Sequence, residues 1–329
     1  MLERIDIKEN SLLKLNSELL DSLLKDHTTN RNIIWGTDNY KHFGIGYRYN
    51  EQIFPELITE DCGEIIRPRV SKSQEEQQAR VKDKAEVFTP TWICNAQNNL
   101  VDEAWFGRKN VFNIEKDKNW TVKSKPVAFP ENKTWQDYIA LNRLEVSCGE
   151  APYLVSRYDA ISGKPIPIKR RIGLLDRKLR VVGENTTTES EWIDSALTAF
   201  KSVYGFEWQG DNLLLARENL LFTYSDYYRE KFKKLPSIIE LLNVSEIISW
   251  NLWQMDGLKC VVPYSCHEET IVQKDLIETR KLKVPCKGCQ RNDIRLHNGK
   301  YCYIMDWQKG KRKKFVSLIR REKNAIGKK

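Results

Sequence analysis

Arg143-Leu-Glu-Val-Ser-Cys-Gly-Glu-Ala-Pro-Tyr-Leu154 decides the fold. Arg143 to Cys148 is a short β-prone run, and Gly149 ends it with a residue that lets backbone turn tightly and approach a ligand. In wound α/β sheets, ligands bind outside the carboxyl ends of the strands, where such a turn falls. A single glycine after a strand is more often only a turn, so its surroundings must be read with it.

Downstream, Tyr204-Gly-Phe-Glu-Trp208 is a second β-prone run between two helical patterns, Glu191 to Ser202 and Asp211 to about Lys233. Strands alternating with helices predict an α/β protein with one wound sheet. Glu207 then follows the second strand. A carboxylate there accepts the ribose hydroxyls of nucleotide-type cofactors, or simply stands in solvent.

Working toward the N-terminus, Ser73 followed by Glu76 forms a capping box for a polar helix reaching about Lys84. Thr89 and Pro90 suit the cap and first position of the next helix. Ile93, Ala96, Leu100 and Ala104 give that helix an apolar stripe, and Gly107 stops it. Leu12, Leu15, Leu19 and Leu23 share one face of a first helix, Ser11 to about Lys25.

Ala85-Glu-Val-Phe-Thr-Pro-Thr-Trp-Ile-Cys-Asn95 resembles motif X of the amino-methyltransferases of restriction-modification systems. In the same order, Leu144 to Gly149 resembles their motif I, Tyr204 to Glu207 with Leu215 to Leu220 resembles motif II, and Asn251 to Leu258 resembles motif III. The chain is thus similar to the DNA adenine-N6 methyltransferases. That resemblance implies a Rossmann-like class I S-adenosylmethionine-dependent methyltransferase sheet. It implies that Phe88, Thr89 and Pro90 flank the methionine end of S-adenosylmethionine, that Glu145 and Gly149 line its amino-acid and ribose region, that Glu207 binds the ribose hydroxyls, and that Asp256 faces the adenine. A helix start at Thr89-Pro90 suits the cofactor carboxylate, because free N–H groups and the helix dipole favour negative charge. The long interval between Gly149 and Glu207 departs from the family, and an insertion around Ser156 to Glu191 is expected to loop out.

The family holds its flipped target adenine with an Asp, Asn or Ser followed by Pro-Pro and an aromatic residue. This sequence contains no Pro-Pro, and none of its 11 prolines follows Asp, Asn or Ser. No catalytic residue is therefore assigned. Either a second methyltransferase or restriction subunit supplies the motif, the favoured expectation, or the chain is a catalytically silent relative that binds nucleic acid.

Seven Cys and His residues crowd between Lys259 and Tyr303: Cys260, Cys266, His267, Cys286, Cys289, His297 and Cys302. Cys286-Lys-Gly-Cys289 has zinc-knuckle spacing. Cys266, Cys286, Cys289 and Cys302 are the expected ligands of a structural zinc, with His297 as the substitute fourth; buried thiols with a fortuitous pair are the bland alternative.

The chain of 329 residues divides by sequence into a largely helical region 1–84, a cofactor domain 85–258, a Cys-rich zinc-type insertion 259–307 and a basic tail 308–329. The tail carries ten Lys or Arg against Glu322 alone, in a chain of net charge +9. Such a tail is either a solvated end or an arm for DNA phosphates. No leader or membrane span is recognisable, so a cytoplasmic protein with reduced thiols and no membrane partner is expected.

Overall fold

The computed structural model describes residues 9–84, 89–274 and 279–319. At its centre, three parallel strands, Arg143–Val146, Val203–Glu207 and Leu252–Gln254, lie side by side in chain order. Glu145 pairs with Gly205, and Gly205 with Leu252. Parallel neighbours require crossovers, which are helical here. Leu174–Asn185 and Glu189–Lys201 connect the first strand to the second, and Gly210–Phe232 and Ile238–Asn251 connect the second to the third. The protein is mixed α/β, with both β-prone runs in the sheet.

Local chemistry sets the helix starts. Thr188 accepts the Glu191 N–H while the Glu191 carboxylate returns to the Thr188 N–H, and Ser237 and Glu240 repeat the device. The fully buried Arg217 then ties elements together by donating to the carbonyls of Leu23, Lys25, Ser249 and Leu252. These carbonyls lie at the ends of helices Ser17–Leu24 and Ile238–Asn251, where no intrahelical donor remains. The same core joins Leu19, Leu20 and Leu23 to Leu213, Leu220 and Leu252.

Three local expectations need correction. The first helix is two, Glu9–Leu15 and Ser17–Leu24, because extended Asn16 uses its side chain to accept the Glu18 N–H at 2.7 Å. Helix Thr91–Phe106 buries a polar face in place of the apolar stripe: Asn95, Asn98 and Asp102 are inside and Leu100 is 65% exposed. Arg177 reaches Asp102 at 2.6 Å and Asn95 at 3.0 Å, and these partners make polar burial tolerable. The segment around Ser156 to Glu191 does not loop out, since Leu175, Leu179 and Val182 of helix Leu174–Asn185 lie in the main core. Asp176 fixes that helix by accepting the N–H groups of Ser156 at 2.8 Å and Gly173 at 3.1 Å.

A second apolar cluster, Phe206, Trp253, Met255, Cys260, Val262, Cys302 and Ile304, forms over part of the sheet. The hairpin Tyr303–Asp306/Lys311–Lys314 feeds Phe315 into it, 5.1 Å from the Trp253 ring. The basic tail is thus folded at its start; residues 320–329 lie outside the described residues. Among the described residues, no helix is long and apolar enough to cross a membrane.

Candidate functional site

The carboxyl edge of the sheet gathers most of the residues singled out by the methyltransferase resemblance. After the first strand, Ser147, Gly149 and Ala151 all take positive φ, producing a tight loop over the second strand. The Gly149 N–H donates to Glu207 Oε2 at 2.9 Å, and the Gln209 N–H donates to Oε1 at 3.1 Å. Glu207 therefore closes the glycine turn from the neighbouring strand. The Trp208 backbone bonds the same carboxylate, so three backbone donors leave one of its roughly four acceptor sites for a further donor such as a hydroxyl.

Glu145 lies beneath this loop and accepts the N–H groups of Tyr153 at 3.2 Å and Leu154 at 3.1 Å. Burial pushes its carboxyl up to about 8 against those two donors, and the neighbouring Glu207 adds to the rise. Burial raises Glu207 as well, opposed by its backbone donors. The edge thus holds two buried acids that resist ionising together.

Asp256 follows the third strand, one residue beyond Met255, whose N–H donates to the Glu207 carbonyl at 2.9 Å. Its Oδ1 accepts from Leu258 N–H at 3.1 Å and Lys259 N–H at 3.2 Å, while Oδ2 is 3.2 Å from Lys259 Nζ. Asp256 therefore organises its own turn.

Phe88 lies outside the described residues. The helix beyond it opens at Thr91, with Pro90 in the cap position and no side-chain cap, so Thr89 does not cap it. Thr89 instead hydrogen-bonds with Tyr153, which brings this helix start to the loop held by Glu145. Asn98 reinforces the junction by donating to the Tyr153 carbonyl at 3.0 Å. Asp159, which the sequence reading missed, hydrogen-bonds with Thr91 in the helix's first turn.

A second constellation lies in the Cys-rich lobe. Cys266, Cys286, Cys289 and His297 present four donor atoms within 4.8 Å of one another, an arrangement that could hold a metal ion. His297 Nδ1 is 3.5 Å, 3.6 Å and 3.7 Å from the Sγ atoms of Cys266, Cys286 and Cys289. Zinc–sulfur bonds of ~2.3 Å and a zinc–nitrogen bond of ~2.05 Å at tetrahedral angles give an S···N edge of ~3.6 Å, so the spacing is compatible with structural zinc.

Cys302 stands apart from these four. It is fully buried in the second apolar cluster, with its thiol 3.4 Å from the Gln254 carbonyl, and His297 occupies the fourth position. Burial and the adjacent Cys286 push the Cys266 thiol up to about 12. Although burial acts against it, the N–H groups of Asn298 and Cys289 draw the Cys286 thiol down to about 6. Three neighbouring thiols repel as they ionise, and a divalent cation relieves that repulsion.

A separate groove of about 530 Å³, lined in part by Arg143, Tyr204, Lys201, Trp307 and Lys313, lies at the amino ends of the strands, away from both constellations.

Comparison with family models, with curated proteins and with solved structures finds no match for this chain.

Proposed function

We propose that this chain is the S-adenosylmethionine-binding part of a DNA adenine-N6 methyltransferase of a restriction-modification or related defence system. In this proposal a second polypeptide contributes the acceptor segment of the Asn-Pro-Pro-Tyr type. The supporting observation is positional: Gly149, Glu207 and Asp256 stand at the carboxyl ends of three adjacent parallel strands, with Gly149 bonded to Glu207. Doubly wound nucleotide-binding sheets begin with this run of neighbours and place their ligand at this edge. Glu207 keeps an acceptor site for a ribose hydroxyl beside its three backbone donors, and the start of helix Thr91–Phe106 offers N–H groups for a carboxylate. The cofactor supplies an activated methyl group for the adenine amine.

The open side of the sheet supports the second polypeptide. Among the described residues the strand Arg143–Val146 pairs on one side only, and its Leu144 and Val146 are 46% and 64% exposed. Parallel strands are ordinarily covered, and an apolar edge invites another strand. In the doubly wound order the fourth strand pairs at this position.

The competing reading is a chain that binds nucleic acid without methyl transfer. It is favoured by one feature, the engagement of the Gly149 N–H within the protein. Calorimetry with S-adenosylmethionine separates the two. Saturable binding by the intact chain, weakened about tenfold or more in Glu207→Ala, is expected; a folded intact chain that binds none overturns the cofactor assignment. The Cys/His lobe has a structural role in this proposal, with zinc as the ion its soft donors suit.

A further inference from the structure

We propose that one zinc ion, held by Cys266, Cys286, Cys289 and Nδ1 of His297, closes the base of the hairpin Glu269–Lys274/Thr279–Val284 and thereby orders it. This assignment rests on the structural role given to the lobe and is independent of S-adenosylmethionine binding. Three thiolates and one imidazole fill a tetrahedral zinc shell, leaving no position for water or substrate. The centre is therefore structural.

The surrounding backbone is shaped to these donors. A Cβ on Gly288 would lie 2.5 Å from the His297 backbone nitrogen and 2.6 Å from its Nδ1, so only glycine lets the knuckle wrap this closely around the imidazole. A Cβ on Gly299 would lie 3.0 Å from Cys266 Sγ. The Cys289 N–H donates to Cys286 Sγ at 3.4 Å, a bond that favours the thiolate. Lys259, paired with Asp256, also interacts electrostatically with Cys289 and Cys266, and its charge offsets three thiolates on one dication.

The hairpin gives the ion its task. Glu269 pairs with Val284, so the strands diverge from the body just after Cys266 and return just before Cys286. Ile271, Val272 and Leu282 are 48%, 49% and 45% exposed, which leaves the hairpin little apolar cover. A lone two-stranded hairpin is marginal in water. Joining Cys266 to Cys286 through a metal lowers the entropy cost of bringing its ends together.

The test uses the full chain purified without chelator. Metal analysis should find one zinc per chain, and cobalt exchange should give thiolate-to-metal charge-transfer absorption. In competition with a chromophoric chelator, Cys302→Ser should retain zinc like the wild type. His297→Ala should bind zinc about tenfold or more weakly, and His297→Cys should recover it. Hydrogen exchange of 269–274 and 279–284 should accelerate about tenfold or more on metal removal while helix Gly210–Phe232 stays protected. Absence of zinc together with failure to take up cobalt overturns the centre. A loss in Cys302→Ser equal to that in His297→Ala overturns the ligand set, and unchanged hairpin exchange overturns the task. None of these readouts involves S-adenosylmethionine.

Discussion

Glu145→Gln tests the buried acid pair at the sheet edge. Burial holds the Glu145 carboxyl up to about 8, against 4.5 for an ordinary glutamate. Between those values the folded chain keeps a proton that the unfolded chain has released, so stability falls as pH rises. The contribution is fully present below about 4.5 and is lost as pH rises through about 8. Each pH unit within the window corresponds to about 1.4 kcal/mol. From about pH 5 to about pH 7 the wild type should therefore lose roughly 2–3 kcal/mol relative to Glu145→Gln.

The substitution also carries a cost independent of pH. The two oxygens of Glu145 accept separate amides, from Tyr153 and Leu154. A glutamine turns its NH2 toward one of them, at about 1–3 kcal/mol. The variant should thus be the weaker protein near about pH 5, with the gap closing or inverting near about pH 7. Urea unfolding followed by tryptophan fluorescence at a series of pH values measures both effects. Other titrations are common to the two proteins, so the difference curve reports the Glu145–Glu207 pair. Parallel stability curves would refute the claim that Glu145 is held protonated by burial.

Two further perturbations address other parts of the molecule. Arg217→Met leaves the carbonyls of Leu23, Lys25, Ser249 and Leu252 without their shared donor; the urea midpoint should fall by the equivalent of about 3–5 kcal/mol, and a change below about 1 kcal/mol would show that the guanidinium does not join these elements. Deleting 320–329 removes Arg320, Arg321, Lys323, Lys328 and Lys329 with one acid, Glu322. If this segment contacts phosphates, the slope of log K against log salt for duplex DNA should become shallower by about 0.9 for each lost contact, whereas an unchanged slope assigns those contacts elsewhere.

The first two strands and the helices Glu189–Lys201 and Gly210–Phe232 were legible because their signals are local, β-prone runs between helical patterns; helix Leu174–Asn185, expected to loop out, and helix Ile238–Asn251 were not. The polar face of helix Thr91–Phe106 was not, because its meaning depends on Arg177, distant in sequence from Asn95 and Asp102. An isolated helix with that pattern would turn Leu100 inward; the ion pair turns it out. Asn16 did carry a local signal, since a short amide side chain can cap the following turn, yet the leucine spacing on both sides concealed it. The metal cluster was legible from its crowding and the Cys286–Cys289 spacing. Its fourth member was not, because sequence distance cannot separate Cys302, which turns into the core, from His297, which turns toward the three sulfurs. Likewise, Gly149 announced a turn but not that Glu207 would occupy its N–H.

The position of Cys302 explains why the Cys-rich lobe is more than an appendage. A parallel sheet needs cover on both faces. Helix Gly210–Phe232 contributes Leu213, Ala216 and Leu220 to the main core shared with Val203 and Leu252. Over Phe206 and Trp253, cover comes from Cys260, Val262, Cys302 and Ile304, with Phe315 packed against them. The lobe's apolar base is therefore part of the sheet's packing, while its four metal-type donors sit farther along the same segment. Between these two regions, the backbone bridge of Asp256 to Val261, the Val262 N–H bonded to Lys300 and the pair Asp256–Lys259 connect lobe to edge. Displacing the lobe would uncover Phe206 and Trp253 and free the turn of Asp256 together, so the integrity of the sheet edge depends on a segment that contributes no strand to the sheet.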